Sequence, residues 1–141
     1  MTAPISVLLI EDNPGDAELI RDTLQSGRVL LDLTVIHDGT EALAYLLRQG
    51  PHQKARQPDL IMLDLNLPKV DGRAVLAAIK NEAHLRTIPV VVLTSSDAER
   101  DIVQSYALGA NCFLSKPVEL EAFQQVVRSI EGFWLTVVKL P

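Results

Sequence analysis

Short unbroken apolar runs alternate along the chain with stretches in which apolar residues recur every three or four positions. Residues 5–10 (ISVLLI) end in Glu11-Asp12, residues 60–63 (LIML) end in Asp64, and residues 89–93 (PVVVL) end in Thr94-Ser95-Ser96. Runs of this length without polar alternation suit strands covered on both faces, as in a parallel sheet. Residues 33–36 and 112–114 are weaker strand candidates. Between the runs, Ala17, Ile20 and Leu24 share one helical face, as do Ala42, Leu43, Leu46 and Leu47. Val75, Leu76 and Ile79 mark a third helix, and Ile102, Val103 and Tyr106 a fourth. Asp38 with Glu41, and Ser96 with Glu99, have the spacing of capping boxes. At the end of the chain, Leu120, Phe123, Val127, Ile130, Trp134 and Val137 step by three or four. One helix over about 118–140 is the economical reading, although Gly132 weakens it by ~1 kcal/mol. A break at Gly132 into a short second helix is the alternative.

Five strand-then-helix units predict an α/β fold: a doubly wound parallel sheet with helices on both faces and right-handed crossovers. Ligands of such sheets lie beyond the carboxyl ends of the strands. Glu11-Asp12, Asp64, Thr94 and Lys116 follow successive strands, so all project into one crevice. The polar stretch 50–58 (GPHQKARQP) reads as a loop, not a domain boundary.

Composition narrows the class. A chain of 141 residues, 48% hydrophobic, is expected to form a single domain over 1–141 with no output domain. Only 4% of residues are aromatic, so the core is aliphatic. Thirteen basic against eighteen acidic residues give a net charge of −5, which disfavours nucleic acid as a direct partner. Cys112 is the only cysteine, which excludes an internal disulfide and a cysteine-based metal cluster. No signal peptide is legible at the N-terminus, and no apolar run reaches the ~18–20 residues of a membrane span. These features predict a soluble cytoplasmic protein with no membrane partner.

The crevice residues carry the candidate chemistry. Three carboxylates at neighbouring strand ends repel one another, and at least one would have a raised pKa. A hard divalent cation such as Mg²⁺ removes the conflict, with the backbone carbonyl of Asn66 as a further oxygen ligand. The Lys116 ammonium and the Thr94 hydroxyl add groups suited to phosphoryl oxygens. Asp64 is placed to be the nucleophile of an aspartyl-phosphate. Each residue alone has a plainer explanation: Asp12 as a helix cap, Thr94 as a cap or ladder residue, Lys116 as a solvated cation. Asp64 is the more telling, because an acid within an apolar run is rarely buried unpaired. The combination at four successive crevice positions favours function over coincidence.

The ordered set Glu11-Asp12, LDLNLPKVDG at 63–72, LTSSD at 93–97 and LSKPV at 114–118 resembles the receiver domain of two-component response regulators. Thr94 and Lys116 follow Asp64 by 30 and 52 residues, as in that family. The resemblance implies a flavodoxin-like sheet of strand order 2-1-3-4-5. It implies that Asp64 takes a phosphoryl group from the phosphohistidine of a sensor histidine kinase. By the same resemblance, Glu11, Asp12 and Asp64 hold Mg²⁺ with the Asn66 carbonyl, Mn²⁺ or Ca²⁺ being able to substitute. Thr94 matches the switch hydroxyl, Phe113 the switch aromatic, and Lys116 the lysine that pairs with the phosphoryl group. Lys116-Pro117 matches a peptide bond that is typically cis in the family. Pro68 and Gly72 match the loop after the phosphoacceptor strand. Phe113 stands where tyrosine is frequent, so no phenol hydroxyl takes part in the switch. Assistance to its own phosphorylation and dephosphorylation is implied as well, without an enzyme's turnover.

A narrower resemblance is carried by DNPGDAELI at 12–20, HLRTIPVVVLTSSD at 84–97, YALGANCFLSKPV at 106–118 and FWLTVVKLP at 133–141. It is to stand-alone response regulators paired with phytochrome-type histidine kinases. Output then passes through a surface to a downstream protein the sequence does not identify. Phe133, Trp134 and Val137, with Leu135, Val138 and Leu140, are too apolar for a solvated tail. Residues 131–141 either extend the last helix into a homodimer surface, the favoured reading, or fold back over the core. His37, His52 and His84 lack metal or phosphotransfer spacing and are expected to be surface or structural residues. Cys112 is expected to be a small buried hydrophobe.

Two rival functions remain open at this point. A Mg²⁺-dependent phosphohydrolase also uses an aspartyl-phosphate, but needs a second carboxylate two residues after the nucleophile, where this chain has Asn66. A degenerate receiver acting as a constitutive binding module would not need the intact set Asp64, Thr94 and Lys116.

Overall fold

The computed structural model describes residues 5–27, 31–94, 109–110 and 112–129. Five strands form one parallel sheet: β1 (Ile5–Ile10), β2 (Leu31–Ile36), β3 (Leu60–Asp64), β4 (Val90–Thr94) and β5 (Cys112–Ser115). Their order is β2-β1-β3-β4-β5, all pairs parallel, as the receiver resemblance implied. Described helices are α1 (Pro14–Gln25), α2 (Gly39–Leu46), α3 (Gly72–Asn81) and α4 (Leu120–Ser129).

The apolar runs become strands because both faces of the sheet are covered. Ile5, Val7 and Leu9 of β1 face one way and pack with Ala17, Ile20 and Leu24 of α1 and Phe123 of α4. Leu8 and Ile10 face the other way, among Ala42 and Leu46 of α2 and Val75, Leu76 and Ile79 of α3. Each strand residue thus loses its apolar surface to one layer or the other, at about 25 cal/mol per Å². The edge strand β2 is only partly buried, which explains its weaker apolar signal.

Helix starts follow local capping. Asp38 accepts from the Glu41 N–H at 2.7 Å, as the box predicted. At α1, however, the cap is Asn13, which accepts from the Asp16 N–H at 3.0 Å, with Pro14 in the first turn. The plainer alternative for Asp12, a helix cap, does not hold, since Asn13 takes that place. Asp71 caps α3 by accepting from the Arg73 N–H at 2.7 Å. The 50–58 loop contains one 3-10 turn, Gly50–His52. Strand ends differ from the sequence reading by one or two residues: β2 begins at Leu31, β3 and β4 run on to Asp64 and Thr94, and β5 to Ser115.

Cys112 is half-buried against the α1–α4 layer, not fully enclosed as expected. His37 contacts the Glu11 carbonyl, His52 the Glu41 carboxylate and the Tyr45 ring, and His84 the Glu82 carboxylate. The helix expected around Ile102, Val103 and Tyr106, with its Ser96–Glu99 box, lies outside the described residues, and so does everything after Ser129. Among the described residues no helix is long and apolar enough to cross a membrane.

Candidate functional site

Parallel pairing lines up the carboxyl ends of the strands. Ile10 is opposite Leu63, Asp64 opposite Leu93, and Thr94 opposite Ser115. Glu11-Asp12, Asp64, Thr94 and Lys116 therefore leave the sheet at the same edge. Asp64 ends the central strand and is buried, its whole residue 2% exposed. Its carboxylate is held from two sides: Oδ1 accepts from the Asn66 N–H at 2.9 Å, and Oδ2 accepts from Lys116 Nζ at 2.9 Å. Lys116 starts beyond β5, two strands away from β3. At ~4.8 Å per strand, only a long side chain spans that gap. The Lys116-Pro117 peptide bond is cis, as the resemblance implied.

Lys116 reaches further still, to Glu11 Oε1 at 2.5 Å and to Asp16 Oδ2 at 3.1 Å. Glu11 is fully buried at the end of β1, and its Oε2 accepts from the Asn13 N–H at 3.3 Å. Burial pushes the Glu11 carboxyl up to about 7, helped by the adjacent Asp64 and partly opposed by Lys116 and the Asn13 N–H. For Lys116 burial favours the neutral amine, but the carboxylates of Glu11, Asp64 and Asp16 outweigh it and hold the ammonium above the ordinary lysine value.

The loop after β3 is shaped by Gly72. A Cβ there would press into the Asp64 carbonyl oxygen and lie 2.6 Å from Leu65 Cα. Glycine lets the first turn of α3 lie directly against the backbone of the candidate phosphoacceptor, with the Gly72 N–H donating to Leu65 O at 3.1 Å.

One carboxylate oxygen from each of Glu11, Asp12 and Asp64 lies within 4.8 Å of the others. Asp12 is exposed and the other two are buried, so the triad opens to water on one side. Glu11 Oε1 accepts no hydrogen bond of proper geometry, although the Lys116 ammonium is close. The three carboxylates carry more negative charge than the one shared ammonium offsets, which favours a bound cation. An all-oxygen set with a solvent opening fits a hard cation that keeps part of its water shell.

Of the predicted site residues, Glu11, Asp12, Asp64 and Lys116 are brought together, and Asn66 adjoins them through its N–H. Thr94 ends β4 beside Ser115 in register. Phe113 lies on β5, half-buried against the α2–α3 layer. Phe133, Trp134 and Val137 lie outside the described residues. Asp16 was missed: an acid in the first turn of a helix reads as a partner of the helix dipole, and nothing local reveals its contact with Lys116.

These features define a class. A family model for the response regulator receiver domain matches residues 7–128, and the chain belongs to that family. Within it, the chain is 45% identical to the response regulator Rcp1 of a Synechocystis strain over 138 residues, covering 98% of this chain and 94% of that one. The crystal structure of the phosphorylated cyanobacterial phytochrome response regulator RcpA aligns with 47% identity over 99% of both chains, at a TM-score of 0.80. The Mn²⁺-bound form of Rcp1 aligns with 45% identity over 98% of this chain and 99% of that one, at a TM-score of 0.79. This protein is thus a phosphoacceptor signalling receiver like Rcp1. Receivers of this kind bind a divalent metal and are served by a histidine kinase.

Proposed function

We propose that Asp64 is the phosphoacceptor of a single-domain response regulator whose donor is a phytochrome-type histidine kinase. The observation that carries this reading is the buried Asp64 carboxylate, hydrogen-bonded by Lys116 at 2.9 Å and adjoining the Glu11–Asp12 acids. In the transfer, the P–N bond of the kinase phosphohistidine breaks, a P–O bond to Asp64 forms, and the imidazole leaves.

Glu11, Asp12 and Asp64 hold Mg²⁺ together with the Asn66 carbonyl. The metal supplies charge neutralisation for the phosphoryl oxygens. Lys116 supplies a second positive charge, and its proximity to Asp64 places it to follow the phosphoryl group. Phosphorylation adds roughly −1.5 to −2 charges at this edge of the sheet. Thr94 answers by donating its hydroxyl to a phosphoryl oxygen, and Phe113 turns into the space vacated. The result is a shift between two pre-existing surface states, not a new fold. The same groups assist hydrolysis of the acyl phosphate. The chain acts in the cytoplasm as one receiver domain. Residues 131–141, with Phe133, Trp134 and Val137, join two copies into a homodimer that presents the changed face to a downstream protein.

Incubation with acetyl phosphate and Mg²⁺ tests the site. Wild type should gain one acid-stable, hydroxylamine-labile phosphoryl group per chain, and Asp64→Asn none. Labelling of Asp64→Asn at the wild-type rate would remove the assignment. Phosphotransfer profiling against the sensor kinases of the same cell, a light-sensing one among them, tests the partner.

A further inference from the structure

An ammonium has three N–H donors. Around that of Lys116 stand three carboxylates: Glu11 Oε1 at 2.5 Å, Asp64 Oδ2 at 2.9 Å and Asp16 Oδ2 at 3.1 Å. The contacts to Asp64 and Asp16 are hydrogen bonds, and that to Glu11 Oε1 is an ion pair. Glu11 and Asp64 belong to the acidic triad, but Asp16 does not. It comes from the first turn of α1, where the Asn13 cap fixes its backbone at 3.0 Å, and its carboxylate meets Lys116 across 100 residues of sequence. The helix dipole accounts for an acid at this position, not for that contact.

The three partners differ in what it costs to release them. The side chains of Glu11 and Asp64 are 0% and 4% exposed, and that of Asp16 is 41% exposed. A buried carboxylate that loses its cation has no water to replace it, whereas a half-exposed one is rehydrated at once. Asp16 and Lys116 also line a cavity of about 330 Å³ between α1 and the Pro117–Val118 segment, so water reaches the pair from that side. Of the three carboxylates, Asp16 is therefore the one whose separation from Lys116 costs least.

We propose that Asp16 is a positioning residue that competes with the phosphoryl group for Lys116, and so restrains phosphorylation of Asp64. This rests on the phosphoacceptor reading of the same site. The Asp16 carboxylate engages the ammonium from the α1 side at 3.1 Å while Asp64 accepts from it at 2.9 Å. The pull must be overcome each time Lys116 follows a phosphoryl group onto Asp64.

The test is the rate of labelling by acetyl phosphate with Mg²⁺, in which the P–O bond to the acetyl group breaks, a P–O bond to Asp64 forms and acetate leaves. Asp16→Asn should label about two- to fivefold faster than wild type, the range a partly exposed ion pair supports. Asp16→Glu should keep the rate close to wild type, because the carboxylate is retained. In a Lys116→Ala background, Asp16→Asn should change nothing, because the residue acts through the ammonium. If Asp16→Asn does not fold, Asp16→Ser gives the same comparison. An Asp16→Asn rate no faster than wild type overturns the proposal. So does an equal acceleration in the Lys116→Ala background, which would mean direct repulsion of the phosphodonor. A labelled wild type with either result fails this inference alone; a wild type that takes no label fails the phosphoacceptor reading itself.

Discussion

Single side chains at the sheet edge act on one another through charge. Glu11 is pushed up to about 7 from its ordinary 4.5, chiefly by burial. A carboxyl with a raised folded pKa stabilises the fold below its unfolded value and loses that contribution as pH rises through the folded value. Without metal, Glu11 should therefore cost the protein stability between about pH 4.5 and 7. With Mg²⁺ the sign reverses, because the cation needs the ionised carboxylate. The increase in Tm on adding Mg²⁺ should be larger at pH 8 than at pH 6, and an increase independent of pH would place the cation away from Glu11. Lys116→Ala should lower stability in metal-free buffer by about 1–3 kcal/mol, since it strips a hydrogen-bonded cation from buried Asp64. Mg²⁺ should recover part of that loss, which denaturant titration with and without the metal will show. At this scale the sequence named Glu11, Asp12, Asp64 and Lys116 from their places after apolar runs. It did not name Asp16, because a contact spanning 100 residues leaves no local mark.

Elements depend on a few caps and close approaches. The Asn13 side chain satisfies the Asp16 N–H at the start of α1. Asn13→Ala should cost about 1 kcal/mol, read as a shift in urea midpoint at constant slope. Gly72 has a sharper constraint, since a Cβ there meets the Asp64 carbonyl and Leu65 Cα. Gly72→Ala should destabilise by about 1–3 kcal/mol and slow phosphorylation, because relief requires moving α3 or the backbone of Asp64. Unaltered labelling alongside lost stability would show that α3 alone had moved. Strands β1, β3 and β4 were legible because residues buried on both faces must be apolar throughout. Edge strand β2 was read short, since its partly wet face relaxes that demand. The helix start at Asp38 was legible, whereas at α1 the cap is Asn13, which the sequence reading did not single out.

For the whole molecule, association belongs to the proposal about Phe133, Trp134 and Val137. Sedimentation at micromolar concentration should give a dimer, with a two-fold contact through the last helix. A monomer there would leave the apolar end of the chain to its own core. The alternation of apolar runs with helical periods determined the layered α/β architecture, because each pattern has one way to bury its surface. Acids after consecutive runs likewise determined which edge of the sheet gathers the carboxylates, since parallel strands bring all their carboxyl ends to one side. Folding alone decided how the charges pair. Lys116 crosses from β5 to β3, β1 and α1, and Gly72 is pressed against Asp64. Such distances depend on how strands and helices pack in three dimensions, and residue order along the chain does not encode them locally.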